Sequence, residues 1–397
     1  MKSNQVLGVI CNNRMLSDAN GDYWVSKQTY GDSFWIRYLA VFSVVRPICR
    51  VTKVNKVPDG WVKITLENVK PIPITGFEGI GQLIKVFSVL RKELLNSINI
   101  VDKVIVRGPT ILSSVIQDWF MKNDTAYGIE VVSDPWDDFA KGSYKHKLRF
   151  FLQQFSYITF KMLVKNAYVI SYVTSSYLQN KYPAKNATFS TNYSSISLKS
   201  SDIVDQEIRV FPRGDIWHVG LIARLDTPHK GGDVLLRAVR KCLTAGAQLK
   251  CTIVGDGKEL AVLKELALKL DIVDRVVFPG AVSTKSDVFK YLDSFDIFAL
   301  PTRQEGLPRS VIEAMARGLP CLSTPIGGVP EIVNASELFE LDNVDELAKR
   351  IINLIDNPDY CVLLSEQNLQ KSQNYEETEL EVRRNKLYSV LMEAPVK

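Results

Sequence analysis

The chain has 397 residues, of which 46% are hydrophobic and 23% charged, with a net charge of +5. These proportions exclude disorder, collagen and a coiled coil as the dominant architecture, and at ~100–200 residues per domain the length suggests two domains or three. No apolar run reaches the ~18 residues of a membrane span, and the run at 6–11 is too short for a signal-peptide core, so the cytoplasm is the expected place.

Short apolar runs at 6–11, 62–66, 103–107, 129–133 and 168–172 read as strands. Apolar residues at 80, 83, 84, 86, 87, 90, 94 and 95 recur at helical spacing, and 110–121 reads as a second helix. Residues 190–205 are Ser-rich, and 194–202 is the linker candidate. The alternation then restarts, with strands at 218–222, 249–254, 276–278, 297–300 and 321–323. Helices are expected at 232–243, 259–270, 308–316 and 344–355, and a charged helix at 376–392. Strands alternating with helices imply an α/β chain of two Rossmann-like, doubly wound domains facing a central cleft. The expected bounds are 1–205, 206–375 and a C-terminal helix, 376–397, packing back on the first domain.

The halves differ in charge. Residues 1–200 hold 25 Lys and Arg against 14 Asp and Glu, and residues 201–397 hold 24 against 30. A basic first half suits nucleic acid, an anionic membrane or an anionic substrate. Six cysteines without a Cys-x-x-Cys pair read as buried reduced thiols, and three scattered histidines give no ligand spacing, so no metal site is expected.

In open parallel sheets ligands bind beyond the carboxyl ends of strands. Three such loops in the second half carry unusual residues. Between the strand ending near Ala223 and the helix starting near Gly232 lie Arg224 and Lys230. Cations at a helix N-terminus oppose its dipole, so they suit an anion between them, or else are ordinary surface charges. Val254-Gly255-Asp256-Gly257 permits a tight turn and matches no full phosphate-loop pattern. After Leu300, Pro308 fits the first turn of a helix, leaving the Gly306 and Leu307 amides free for an anion. Glu305 precedes that helix. Glu313 lies within it among Val311, Ile312, Ala314 and Met315, bound either to a ligand or to Arg317 at i+4. Ser323–Ile332 follows, with Gly327-Gly328 allowing close backbone approach or a plain turn.

Taken in order, these segments resemble glycosyltransferase family 4, retaining nucleotide-sugar-dependent enzymes of the GT-B fold. The resemblance runs from about 218 to 355 and rests on Arg224, Lys230-Gly231, the pair Glu305 and Glu313, the continuation Glu-Ala-Met-Ala-Arg-Gly-x-Pro, and Gly-Gly-x-Pro-Glu-Ile. It implies that Arg224 and Lys230 hold the donor diphosphate without a metal or other cofactor. It implies that Glu313 binds ribose hydroxyls, that Glu305 orients the sugar, and that the loops at Gly255–Gly257 and Gly280-Ala281-Val282 meet the nucleotide through backbone atoms. The implied activity is transfer of a hexose to a glycan or polyprenyl-diphosphate-linked acceptor. The alternative is another GT-B enzyme, a sugar-nucleotide epimerase or phosphorylase. A nucleic-acid binder is disfavoured because no helix-turn-helix or zinc-finger spacing occurs.

In the first half, Glu130-Val131-Val132-Ser133-Asp134-Pro135-Trp136-Asp137 resembles transferases of bacterial surface-polysaccharide pathways, those of lipopolysaccharide and capsule. The family often places a histidine where Asp134 stands. Asp134 then binds an acceptor hydroxyl or caps the turn before Pro135. Gly21-Asp22 is the nearest candidate for a glycine-rich acceptor loop, and Arg107-Gly108-Pro109 meets an acceptor phosphate or is a surface loop.

One basic segment stands apart. Lys141, Lys145, Lys147, Arg149, Lys161 and Lys165 surround an apolar stripe of Leu148, Phe151, Leu152, Phe155, Ile158, Met162 and Leu163, and no acid lies between Phe139 and Lys185. The stripe is expected to face the core of the first domain. The cations point to peripheral, salt-reversible association with an anionic membrane surface, without insertion.

Overall fold

The computed structural model describes residues 3–26, 30–123, 125–138, 149–204, 210–212, 216–282 and 284–395. These form two compact units. Unit 1 draws on 1–173, 178–193 and 381–397, and unit 2 on 174–177 and 194–380.

Unit 1 holds strands β1 (Ser3–Ser17), β2 (Tyr23–Ser26), β3 (Phe42–Lys53), β4 (Trp61–Lys63), β5 (Ile72–Ile74), β6 (Lys103–Gly108), β7 (Gly128–Val131), β8 (Val169–Tyr172) and β9 (Phe189–Asn192). They make one sheet in the order β4-β2-β1-β6-β7-β8-β9, with β3 paired to both β1 and β5. Among the described residues, only the β1–β2 and β2–β4 pairings are antiparallel. Its helices are α1 (Asp32–Leu39), α2 (Gly79–Asn99), α3 (Ile111–Val115), α4 (Gln117–Lys122), α5 (Pro135–Asp138) and α6 (Arg149–Lys165), and α7 (Tyr177–Lys181) starts at the last residue of the 174–177 stretch. The helix expected over 110–121 is broken. Ile116 leaves helical dihedrals, with φ −120° and ψ 13°, and is fully buried, so the chain bends there to place it in the core.

Unit 2 holds β10 (Trp217–Ile222), β11 (Leu249–Val254), β12 (Val276–Gly280), β13 (Ile297–Leu300) and β14 (Cys321–Ser323), all parallel in the order β12-β11-β10-β13-β14. Its helices are α8 (Gly232–Thr244), α9 (Glu259–Lys269), α10 (Lys285–Ser294), α11 (Arg309–Ala316), α12 (Val344–Asp356) and α13 (Pro358–Ser372), and α14 (Glu377–Glu393) begins there. The strand order reverses between β10 and β13, which opens a crevice at the carboxyl ends of these two strands.

Residues 194–202 are no free linker. Ile196 and Leu198 are buried, Ser197 donates to Glu377 at 3.0 Å, and Arg317 donates to the Asp202 carbonyl at 2.9 Å. Lys285 contacts the Asp202 carboxylate as well. All six cysteines are buried and none is in a disulfide.

The centre of unit 1 is a carboxylate. Glu130, on β7, is 1% exposed. It accepts from the hydroxyls of Tyr38 at 2.8 Å, Tyr193 at 2.8 Å and Tyr388 at 2.7 Å, and pairs with Arg107. Burial pushes its pKa up, but Arg107 and the three hydroxyls outweigh burial and hold it below the ordinary range. Arg107 is therefore neither a surface residue nor open to an acceptor phosphate. Its guanidinium is buried against Glu130 and lies 4.9 Å from the Phe34 ring centroid.

Helix α6 also departs from expectation. Its buried residues are Gln153, Phe160, Leu163 and Val164, while Phe151, Phe155, Ile158 and Met162 are exposed. Leu163 alone of the expected stripe is fully inside, because the helix presents the opposite phase to the sheet. Leu148, Lys141, Lys145 and Lys147 lie outside the described residues. Among those described, no helix is long and apolar enough to cross a membrane.

Glu130→Ala leaves Arg107 buried and uncompensated, so unit 1 should lose about 3–5 kcal/mol in a denaturant titration. Tyr388→Phe removes one donor to the same carboxylate and should cost about 1–3 kcal/mol. Because the folded pKa of Glu130 is depressed, its contribution is present above the ordinary carboxylate range and lost as pH falls through the folded value.

Candidate active site

The loops after β10, β13 and β14 converge in unit 2. Parallel pairing puts the ends of these three strands side by side, and their loops are then stitched together. The His229 carbonyl accepts from the Arg303 amide at 2.7 Å and the Thr302 hydroxyl at 3.1 Å. The Gly328 amide donates to the Gly306 carbonyl at 2.7 Å. Two glycines permit this approach. At Gly231, φ is +69° and a Cβ would lie 1.8 Å from the Pro301 carbonyl oxygen. At Gly327, φ is +61° and a Cβ would lie 1.9 Å from the Glu305 carbonyl oxygen. Any side chain at either position would push the loops apart.

This stitching brings Lys230 and Glu305 into an ion pair, with Lys230 part-exposed and Glu305 nearly buried. The Thr302 hydroxyl also donates to Glu305, at 3.3 Å. The two residues thus share one site, but Glu305 meets Lys230 directly. Arg224 sits on the same loop as Lys230, mostly exposed, paired with Asp226.

Helix α11 begins at Arg309, and Pro308 is its N-cap rather than its first helical residue. No side chain caps it. Among the described residues, the amides of Gly306 and Leu307 donate to no protein acceptor. These donors and the uncapped first turn form a ready anion seat beside Lys230.

Glu313 does not pair with Arg317. That arginine is bidentate to Asp293 at 2.7 and 2.8 Å. Among the described residues the Glu313 carboxylate makes no hydrogen bond or ion pair, although the residue is half-buried. Burial pushes its pKa up, against the pull of Arg309 and Lys285. A half-buried carboxylate with spare acceptors is suited to a ligand that donates hydroxyls.

The glycine loop after β11 is spent within the fold. The Gly255 amide donates to the Gly280 carbonyl at 2.9 Å, and the Gly257 amide to the Asp256 carboxylate at 2.7 Å. Val282 is half-buried in the loop between β12 and α10.

Two of the three expected acceptor residues, Arg107 and Asp134, are engaged in unit 1. Asp134 is buried, accepts from the Trp136 amide at 2.9 Å and the Tyr182 hydroxyl at 2.5 Å, and pairs with Lys181. Its turn-capping role is thus met, and its oxygens already have donors. Gly21 is exposed, with φ +82°, in the turn joining β1 to β2, where Asp18 accepts the Asn20 and Asp22 amides at 3.0 Å. Among the described residues, a Cβ at Gly21 would meet nothing within 4 Å.

Two residues were not legible as participants. Arg303 is bidentate to Asp233 at 2.8 Å, bonds Asp342 at 2.7 Å and donates to the Pro228 carbonyl at 2.7 Å, which locks the Lys230 loop to the β13 loop. Its position in the loop with Glu305 was the only signal. Glu331 accepts from the hydroxyls of Ser175 at 2.8 Å and Ser176 at 3.0 Å and from the Tyr177 amide at 2.6 Å, so the Pro-Glu-Ile motif clamps the start of α7 rather than meeting a ligand. Among the described residues no group of His, Cys, Asp and Glu is placed to hold a metal ion.

Comparison with known proteins identifies related sequences and folds. Residues 215–371 match the family described as glycosyl transferases group 1. Protein CapJ of Staphylococcus aureus is 27% identical over 325 residues, covering 81% of this chain and 80% of that protein. A putative colanic acid biosynthesis glycosyltransferase, WcaL of Salmonella typhimurium, is 34% identical over 139 residues, 33% of this chain and 34% of that relative. The crystal structure of Anabaena HepE in complex with UDP and glucose superposes with a TM-score of 0.64 at 16% identity, covering 97% of this chain and 99% of that one.

Glu313→Gln tests the unpaired carboxylate. A raised folded pKa means that ionisation opposes folding, so wild-type stability falls as pH rises from the ordinary carboxylate value through the folded one. The variant should melt no lower than wild type at neutral pH and lose that advantage in acid. A lower melting temperature at neutral pH would reveal a structural partner. Residues 215–371 thus match the group 1 glycosyl transferase family, and the chain has the GT-B fold.

Proposed function

We propose that this protein transfers a hexose, with retention at the anomeric carbon, from a nucleotide sugar to a glycan or polyprenyl-diphosphate-linked glycan in surface-polysaccharide biosynthesis. The observation that carries the reading is the Lys230 ammonium beside the free amides of Gly306 and Leu307 and the uncapped α11, at the strand-order reversal of unit 2. Cleavage of the bond between the sugar and the diphosphate leaves negative charge on the departing phosphate. Fixed donors and a cation lower the energy of that charge without reorganising.

The present pairings give each residue a task. An arriving diphosphate competes with Glu305 for Lys230, and the released carboxylate then accepts from the sugar hydroxyls. Arg224 leaves Asp226 at little cost, since an exposed pair contributes only about 0–1 kcal/mol. Glu313 accepts from the ribose hydroxyls. Val282 lines the nucleotide, and the Gly255–Gly257 loop, its Gly255 and Gly257 amides already used, meets it only by contact. Because Lys230 and Arg224 supply the positive charge, the donor site is assigned no metal. The reading is supported by the UDP and glucose bound to HepE and by the colanic acid pathway in the name of WcaL. It places the chain at the cytoplasmic face of the membrane, where a lipid-linked acceptor would lie.

Incubation with UDP-, GDP- and ADP-sugars should give transfer or slow donor hydrolysis with one of them, undiminished by EDTA. Lys230→Ala should stay folded and lose about 10²–10³ in rate, the effect of removing one charge-stabilising donor. Normal turnover by the folded variant would remove Lys230 from the mechanism, and abolition by EDTA with rescue by manganese would remove the metal-free donor site.

A further inference from the structure

Helix α6 turns large apolar residues outward. Phe151, Phe155, Ile158 and Met162 follow one another at steps of four, three and four, which makes one stripe along a helix. Phe151 is 70% exposed, and even the most covered of the four, Met162, is 44% exposed. Phe150 adjoins the stripe. Met121, exposed at the end of α4, extends it beyond Met162, where the Asn166 side-chain amide bridges to its sulfur at 3.1 Å.

On α6 itself the charges beside the stripe have one sign. Lys161 and Lys165 are exposed and stand three residues beyond Ile158 and Met162, so they flank it on the helix surface. Lys161 donates to the Tyr157 hydroxyl at 3.3 Å. The sequence has no Asp or Glu from 139 to 185, and Lys141, Lys145 and Lys147 lie just before the helix. A second copy docking stripe to stripe would bring these cations together. An anionic bilayer accepts both features, with acyl chains for the aromatic and aliphatic side chains and lipid phosphates for the ammonium groups.

We propose that α6 is a membrane-docking helix, lying in the plane of an anionic lipid surface with Phe151, Phe155 and Ile158 below the headgroups and Lys161 and Lys165 among the phosphates. This rests on the reading of a membrane-borne acceptor and sharpens it. Association includes shallow insertion, so salt weakens it without abolishing it.

The full chain is to be sedimented with phosphatidylcholine vesicles, with and without phosphatidylglycerol, at low and high salt. The anionic vesicles should retain the chain, with a fraction still bound at high salt. The triple variant Phe151→Ser, Phe155→Ser, Ile158→Ser should melt as wild type, since these side chains are exposed, and should partition about tenfold more weakly. Lys161→Glu with Lys165→Glu should erase the preference for phosphatidylglycerol. Wild type left in the supernatant with both vesicle types overturns the proposal, as does a folded triple variant that binds like wild type. Full release by salt restricts association to charge and removes the inserted stripe. Concentration-dependent self-association that the triple variant abolishes, without vesicle binding, assigns the stripe to a second copy instead. Donor hydrolysis is read separately in solution. It should be equal in wild type and triple variant, so a failure of docking leaves the transferase reading standing, and a failure of hydrolysis leaves docking standing.

Discussion

A carboxylate removed from water has to be met by donors, and Glu130 meets this requirement with groups from four distant places in the chain. Its partners Arg107, Tyr193, Tyr38 and Tyr388 lie 23, 63, 92 and 258 residues away. The constraint explains why unit 1 takes in the end of the chain. Tyr388 reaches Glu130 from α14, and the buried Lys103 ammonium donates to the Ala394 carbonyl at 2.5 Å. A buried ion pair adds little net stability over an apolar replacement, but breaking it is expensive. The hub therefore acts as a geometric condition: α1, β6, β7 and α14 close together or not at all.

Unit 2 uses charge in the opposite manner. Arg303 is saturated, with two carboxylates and a carbonyl around its planar fork, and it belongs to the frame. Lys230 has three donors and one carboxylate. Glu313 has four acceptor sites and no partner among the described residues. Saturation separates frame from site more sharply than residue type does. The same test returns Glu331 to the frame, because two serine hydroxyls and the start of α7 occupy its oxygens.

The parallel core of unit 2 was legible because short apolar runs bounded by glycine and proline have few alternatives, and four of its five strands lie within one residue of the expected bounds. Helix α13 was not legible. Its buried face includes Ser365, Asn368 and Ser372, small polar residues that carry no apolar period. Strand β9 was hidden in a Ser-rich stretch because Phe189–Asn192 is only half-buried at the sheet edge. Periodicity identified α6 as a helix but could not give its phase. Both stripes hold large apolar residues, and which one meets the sheet is decided by packing against α3 and α4. Arg107 and Asp134 were misplaced for one reason: a charged residue at a strand end reads as exposed unless its buried partner, 23 or 47 residues away, is known.

The three residues expected to receive an acceptor do not form a pocket in the ways expected. Arg107 and Asp134 are consumed by internal pairing, and Gly21 sits in an open turn. A strongly built acceptor pocket is not needed if the acceptor is lipid-borne and the enzyme is held at the same surface. Confinement turns the encounter into one governed by effective concentration, so weak contacts suffice. On the proposed reading the donor arrives from solution and has no such help, and the side assigned to it, in unit 2, is the one with Lys230, the free amides of Gly306 and Leu307 and the Glu313 carboxylate. On the proposed reading the charge asymmetry of the two halves follows the same division, with the basic half bearing the proposed docking helix and the acidic half carrying Lys230 and Arg224 for the diphosphate.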